Sequence, residues 1–253
     1  MNTINVTIKD RLALITLNRG KSNPLNREII TELSDMLHNI SNDANIGGVL
    51  ITGREHFFSA GLDLIELFNY NEEEIRSFWK LFMDFTAQII SFKKPMAAAI
   101  NGHSPAGGCV IALACDIRVM AEGNYIIGLN EVPVGIIVPD SIFQLYAFWL
   151  GKGNAARSLL EGKLFSPEEA LKIGLVDELV NPASIMSATE RRIRKYMALE
   201  PNTWQQSKLN IRRELIAAAT ADQSVVLEAM LTQWWSPTSR NLLKMIIDNL
   251  QKK

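Results

Sequence analysis

MAAAINGHSPAGGCVIALACDIRVMA, residues 96 to 121, carries two short apolar runs around a turn and a helix of small residues. MAAAIN reads as a buried strand, Asn101-Gly102 as a turn, AGGCVIALAC as a helix opened by two glycines, and DIRVMA as a returning strand. This alternation builds an α/β core. Backbone N–H groups at the start of such a helix have no intrahelical partner and lie at the positive end of its dipole, which suits a developing oxyanion. The alternative reading is close packing of a small-residue helix on a sheet, and Ala106, Ala112 and Ala114 support it.

Upstream, Ile4 to Ile8 and Leu12 to Leu17 read as a hairpin. RGKSNPLN breaks the pattern, and Asn26 caps a helix to about Ser41 with Ile29, Ile30, Leu33, Met36, Leu37 and Ile40 on its apolar stripe. A strand, GGVLITG, follows. FFSAGLDL (residues 57 to 64) is a second glycine turn, in which Gly61 permits a tight bend that aims the N–H of Leu62 outward. Asp63 there also suits the first turn of an ordinary helix. Asn71 begins a long helix ending near Lys93 and Lys94.

Downstream, IIGLNEVPVGIIVP (residues 126 to 139) contains Glu131, the only Asp, Glu, Lys or Arg between Gly123 and Pro139. If its apolar neighbours are buried, desolvation raises its pKa toward the range of a general base; a solvated surface turn is the other reading. From Pro139 the chain reads as helical, interrupted by a short strand at Leu175 to Val180. Ser166 with Glu169 forms a capping pattern, and helices follow around residues 183–199, 202–219, 224–234 and 238–250.

The 26 basic and 27 acidic side chains nearly cancel, so no global field draws nucleic acid or an anionic membrane. The opening residues alternate as a strand and include Asp10, unlike a secretory or transit segment; a bacterial cytoplasm is expected, or a mitochondrial matrix if a presequence has been trimmed. Cys109 and Cys115 face different directions on one helix, so reduced thiols are expected, and three scattered histidines give no metal-ligand spacing. His103 reads as a loop or packing residue rather than a base, and Cys109 as a small buried residue rather than an acidic thiol. Arg54 and His56 lie where anionic phosphates could meet them, but surface charges are commonly solvated and neither is assigned.

In the order AGLDL, NGHSPAGGCVIALACD, IIGLNEVPVGIIVP and SPEEALKIGLVDELV, the chain resembles the crotonase (enoyl-CoA hydratase/isomerase) superfamily. The resemblance implies an α/β fold, a spiral of β-β-α turns over residues 1–195 with a C-terminal helical trimerisation region at 196–253, assembled as a homotrimer or dimer of trimers. It also implies an acyl-CoA thioester substrate, CoA being part of the substrate and no further cofactor or metal needed. The carbonyl oxygen would be held by the N–H groups of Leu62 and Gly107, with Ala60, Gly61, Leu62, Asp63 and Leu64 lining the CoA site. Glu131 matches a family glutamate, and Asn130 beside it would contact substrate or orient Glu131, or serve a turn. Val110 stands where hydratases carry a second catalytic glutamate, so the chain is most similar to the Δ3,Δ2-enoyl-CoA isomerases. The resemblance leaves open weak hydration, decarboxylation, thioester hydrolysis or non-catalytic acyl-CoA binding.

Overall fold

A computed structural model describes residues 2–251. The strands are β1 (Ile4–Lys9), β2 (Leu12–Leu17), β3 (Gly48–Thr52), β4 (His56–Phe57), β5 (Met96–Ile100), β6 (Gly102–Pro105), β7 (Ile117–Ala121), β8 (Ile127–Gly128) and β9 (Glu178–Val180). Between β2 and β5 lie helices α1 (Arg27–Asn42), α2 (Leu64–Phe68) and α3 (Glu72–Ile90); α4 (Gly107–Ala114) follows β6. The rest are α5 (Asp140–Leu150), α6 (Lys152–Glu161), α7 (Pro167–Lys172), α8 (Ile185–Met197), α9 (Pro201–Ile211), α10 (Arg213–Thr220), α11 (Ser224–Trp235) and α12 (Pro237–Gln251).

Two sheets organise the chain. The larger has the order β1-β2-β3-β5-β7-β9, parallel except for the β1-β2 hairpin; the smaller is a parallel set, β4-β6-β8. Each of three successive spiral turns contributes one strand to the large sheet, the next to the small sheet, and then helix. β3, β5 and β7 are therefore neighbours in one sheet, as β4, β6 and β8 are in the other. This is the β-β-α spiral expected, with C-terminal helices.

The central strands β3, β5 and β7 are buried on both faces, which is why they read as continuous apolar runs, whereas the edge strand β1 is largely exposed. In β5, Met96, Ala98 and Ile100 face the main core, whereas Ala97 and Ala99 face α8 through Ile185, Ala188 and Ile193. Helix α1 starts at Asn26, whose side chain accepts from the Ile29 N–H at 3.2 Å, and buries Ile29, Ile30, Leu33, Leu37 and Ile40. Each such apolar side chain contributes roughly 1.5–3 kcal/mol on burial. Helix α3 is capped by Asn71 and Glu74 reciprocally and stops at Ile90, short of the lysines. Lys94 instead turns inward, its Nζ donating to Ile40 O and Asp43 O at 2.6 Å.

The residues 202–219 form two helices rather than one. The break falls at Arg212, which is buried and donates to Ala114 O (2.8 Å) and Asp116 Oδ1 (3.0 Å). Lys208 joins it, its Nζ 2.8 Å from Asp116 Oδ2, with burial pushing its pKa down to about 8. Asp116 also accepts from the Met96 N–H at 2.9 Å, so this cluster ties the C-terminal helices to the root of β5. The 195/196 division drawn from sequence falls inside α8, which packs on β3, β5 and β7. Among the described residues no single helix is long and apolar enough to cross a membrane.

Candidate active site

Leu62, Gly107 and Glu131 each follow a strand of the small sheet, in three successive turns of the spiral: β4 ends at Phe57, β6 at Pro105 and β8 at Gly128. Because these strands are parallel neighbours, the segments leaving them emerge side by side at one end of the sheet, the common location for ligands in parallel α/β folds. The supposed Asn101-Gly102 turn is in fact the entry to β6. A Cβ on Gly102 would lie 2.0 Å from the His56 carbonyl carbon, so β4 and β6 approach too closely for any other residue.

Leu62 bridges Leu25 in parallel fashion. Leu25 N donates to Gly61 O at 2.7 Å and Asp63 N donates to Leu25 O at 2.9 Å. With both neighbours engaged on that side, the N–H of Leu62 points the other way and donates to no group among the described residues. Asn23 holds this loop from beneath. Fully buried at φ +49°, it donates through Nδ2 to Phe58 O (3.1 Å) and accepts at Oδ1 from Arg19 N (2.9 Å); Ser59 Oγ donates to its carbonyl at 2.8 Å. In sequence, Asn23 and Arg19 are marked only by the Asn-Pro step at Asn23, typical of turns and tolerant of left-handed backbone.

Gly107 opens α4 behind Ala106, which has φ +49°, ψ −123° and offers no side-chain cap. A non-glycine residue in that region is strained, and surrounding bonds must hold it there; Ala106 N donates to Gly128 O at 2.8 Å. The Gly107 N–H is left without an acceptor among the described residues. A Cβ on Gly61 would lie 3.2 Å from Gly107 N, and one on Gly107 would lie 3.7 Å from Leu62 N. The two free amides are therefore close neighbours, able to share one oxygen.

Glu131 heads a short 3-10 turn, Val132–Val134, its carbonyl accepting from Val134 N (3.1 Å) and Ile136 N (3.0 Å). Gly162, at φ +60°, fits under this turn, since a Cβ there would lie 2.2 Å from Pro133 Cγ. The Glu131 Oε2 atom is buried with no hydrogen-bond partner. Burial pushes the carboxyl up to about 7, its own main-chain amide opposing the shift. The buried reading of this glutamate therefore prevails over the solvated turn.

Ala60, Leu62, Leu64, Gly107, Val110, Asn130 and Glu131 line one cavity of about 110 Å³. Among the described lining residues Glu131 is the sole ionisable group. The rest of the wall is apolar, with Trp79, Phe82 and Met83 from α3, Ile142 from α5 and Met230 from α11. From α5 the described lining includes Ile142 and none of residues 143–149.

Two sequence-selected residues lie outside that lining. Gly61 sits behind the loop at φ +85°, where a Cβ would meet Ala106 Cβ at 2.8 Å. Asp63 caps α2 by accepting from Glu66 N at 3.0 Å, and its other oxygen is 2.7 Å from Arg19 Nη1, so its charge is spent on loop structure. His103 is part of β6; its ring packs against Phe57 and Tyr125, and burial pushes its pKa down. The Cys109 thiol is fully buried and pushed up, the opposite of an acidic thiol. Arg54 donates to Gly20 O at 2.9 Å. Among the described residues no group of three or more His, Cys, Asp and Glu side chains is arranged to hold a metal ion.

Residues 7–244 match the family model described as Enoyl-CoA hydratase/isomerase. The chain is 38% identical over 216 residues to the mouse protein named Enoyl-CoA delta isomerase 1, mitochondrial, covering 85% of this chain and 73% of that one. It is 32% identical over 215 residues to a Short-chain-enoyl-CoA hydratase of Clostridium acetobutylicum, covering 84% and 82%. The crystal structure of human mitochondrial delta3-delta2-enoyl-CoA isomerase superposes with a TM-score of 0.95 at 30% identity, covering 99% of this chain and 98% of that one.

Proposed function

Because the chain belongs to the enoyl-CoA hydratase/isomerase family, we propose that it moves the double bond of a 3-enoyl-CoA to give the trans-2-enoyl-CoA. The thioester oxygen sits between the N–H groups of Leu62 and Gly107, which stabilise the charge that develops when a C2 proton leaves. Glu131 accepts that proton, the C2 electron pair delocalises through the thioester and the C3–C4 double bond as a dienolate, and the same carboxyl group returns a proton at C4. The C2–C3 double bond forms as the C3–C4 bond is lost, with no net change in atoms or oxidation state.

The observation that carries this reading is Glu131 as the single ionisable group among the described residues lining an apolar cavity, with Val110 on the wall. Its pKa of about 7 suits a group that must take and then give a proton near neutral pH. The apolar wall of Trp79, Phe82, Met83, Ile142 and Met230 suits the acyl chain. A homotrimer or dimer of trimers is the assembly expected with this reading.

Hydration is the second reading, favoured by the 32% identity to a hydratase. Adding water across a double bond calls for a base and an acid held together; Val110 can be neither. Product analysis separates the two. With 3-enoyl-CoA the expected product is the 2-enoyl thioester, with migration exceeding water addition to 2-enoyl-CoA; faster hydration than migration would reject the isomerase reading.

A further inference from the structure

We propose that Tyr146 is a positioning residue for Glu131: its hydroxyl donates, through one ordered water, to Oε2 and so fixes which carboxylate oxygen faces the cavity. Helix α5 supplies the placement. Ile142 lines the cavity, and Tyr146, four residues on, lies on the same helical face one turn deeper, fully buried. The Tyr146 hydroxyl and Glu131 Oε2 are both buried polar atoms with no protein hydrogen-bond partner. Buried polar groups are seldom left so, and a water with two to four polar partners is the usual means of joining groups too far apart for a direct bond.

Packing brings the two groups into one neighbourhood: α5 lies against α4, and Cys109, Leu129, Ile142 and Tyr146 belong to one buried cluster. The Tyr146 hydroxyl is pushed up by burial first, then by the charges of Cys109 and Glu131, with the Leu129 amide opposing. The Cys109 thiol, on α4, is likewise raised by burial and then by Glu131, while Arg118 and the Gly128 amide oppose. Gly128 and Leu129, whose amides bear on Cys109 and Tyr146, immediately precede the Asn130-Glu131 pair. Cys109, Tyr146 and, at longer range, Arg118 are the titratable groups bearing on this pocket from the elements packed around it, and the buried thiol stays neutral across the working pH range.

Donation to Oε2 favours the ionised carboxyl and leaves Oε1 free to meet the substrate. The kinetic consequence rests on the isomerase reading; the structural one does not. The direct test is the titration of Glu131 in the unliganded protein, followed by NMR on carboxyl-labelled glutamate and assigned with Glu131→Gln. Tyr146→Phe is expected to raise that titration by about one pH unit and to move the acid limb of kcat upward equally, with KM unchanged. An unmoved titration overturns the proposal, whatever the activity, as does a variant more stable than the parent with the titration unmoved, since the hydroxyl is then an orphan. A shifted titration in a protein without isomerase activity upholds the positioning role and removes the isomerase reading. Should Tyr146→Phe fail to fold, replacement of tyrosine by 3-fluorotyrosine, a stronger donor, is expected to lower the Glu131 titration, and no movement overturns the proposal.

Discussion

Glu131→Gln is expected to abolish double-bond migration, with kcat reduced by about 10²–10⁴-fold or more, while acyl-CoA still binds. The amide keeps the shape of the side chain and removes the proton acceptor, and nothing else lining the cavity among the described residues can replace it. Activity measured beside acyl-CoA affinity checks this: full activity would remove Glu131 from the mechanism. The native enzyme should show the same dependence through pH. The base works when ionised, so kcat falls as pH drops through about 7.

Stability has the opposite sign. Burial raises the folded-state pKa of Glu131 above its unfolded value, so its contribution is fully present below the unfolded pKa and is lost as pH rises through about 7. For a rise from 4.5 to about 7 the loss is at most on the order of 3 kcal/mol. Thermal melts of the native protein should fall across that window, and those of Glu131→Gln should be flatter. A native protein that gains stability over the same window through this residue would show that the carboxyl is not desolvated.

Gly107→Val is expected to lower kcat by about 10²–10³-fold, the cost of losing one oxyanion donor. The reason is steric. Gly107 does not have a left-handed φ, so a valine backbone is tolerated there. Its Cβ, however, would lie 2.8 Å from Leu25 Cδ1 and 3.7 Å from Leu62 N. Pushing Leu25 disturbs the bridge that orients Leu62, and the valine methyls enter the space between the two amides. Gly107→Ala adds only the Cβ and should fall between the two. Steady-state kinetics on the three proteins test the order; equal kcat values would remove the Gly107 amide from the reaction.

Much of this was legible in the sequence because the signals are local. Asn26 caps α1, Asn71 opens α3 and Ser166 with Glu169 caps α7 as their residue types predict. The apolar surroundings of Glu131 pointed to its raised pKa only in part: Ile127, Leu129 and Ile136 are buried, but Ile126, Val132 and Ile137 are exposed, and the rest of the burial comes from the distant cavity wall. What is not legible locally depends on distant contacts or very short elements. Strands β4 and β8 span two residues each and β6 contains glycine and proline, so no alternation marks the small sheet. The break falls at Arg212, which is held by Asp116, 96 residues away, and no periodicity reports such a partner. Asp63 reads in AGLDL as a helix-turn residue or as part of the CoA lining, and its ion pair with Arg19, 44 residues earlier, has no local signal. Tyr146 reads as one more apolar residue of α5, and only its buried hydroxyl sets it apart.

In the proposed mechanism one carboxyl group carries the proton from C2 to C4. A 3-enoyl-CoA deuterated at C2, turned over once by excess enzyme, tests it directly. Deuterium is expected at C4 of the 2-enoyl product above the level set by solvent, and Glu131→Gln should form no product. A C4 hydrogen drawn wholly from water, at a rate unchanged in Glu131→Gln, would contradict it.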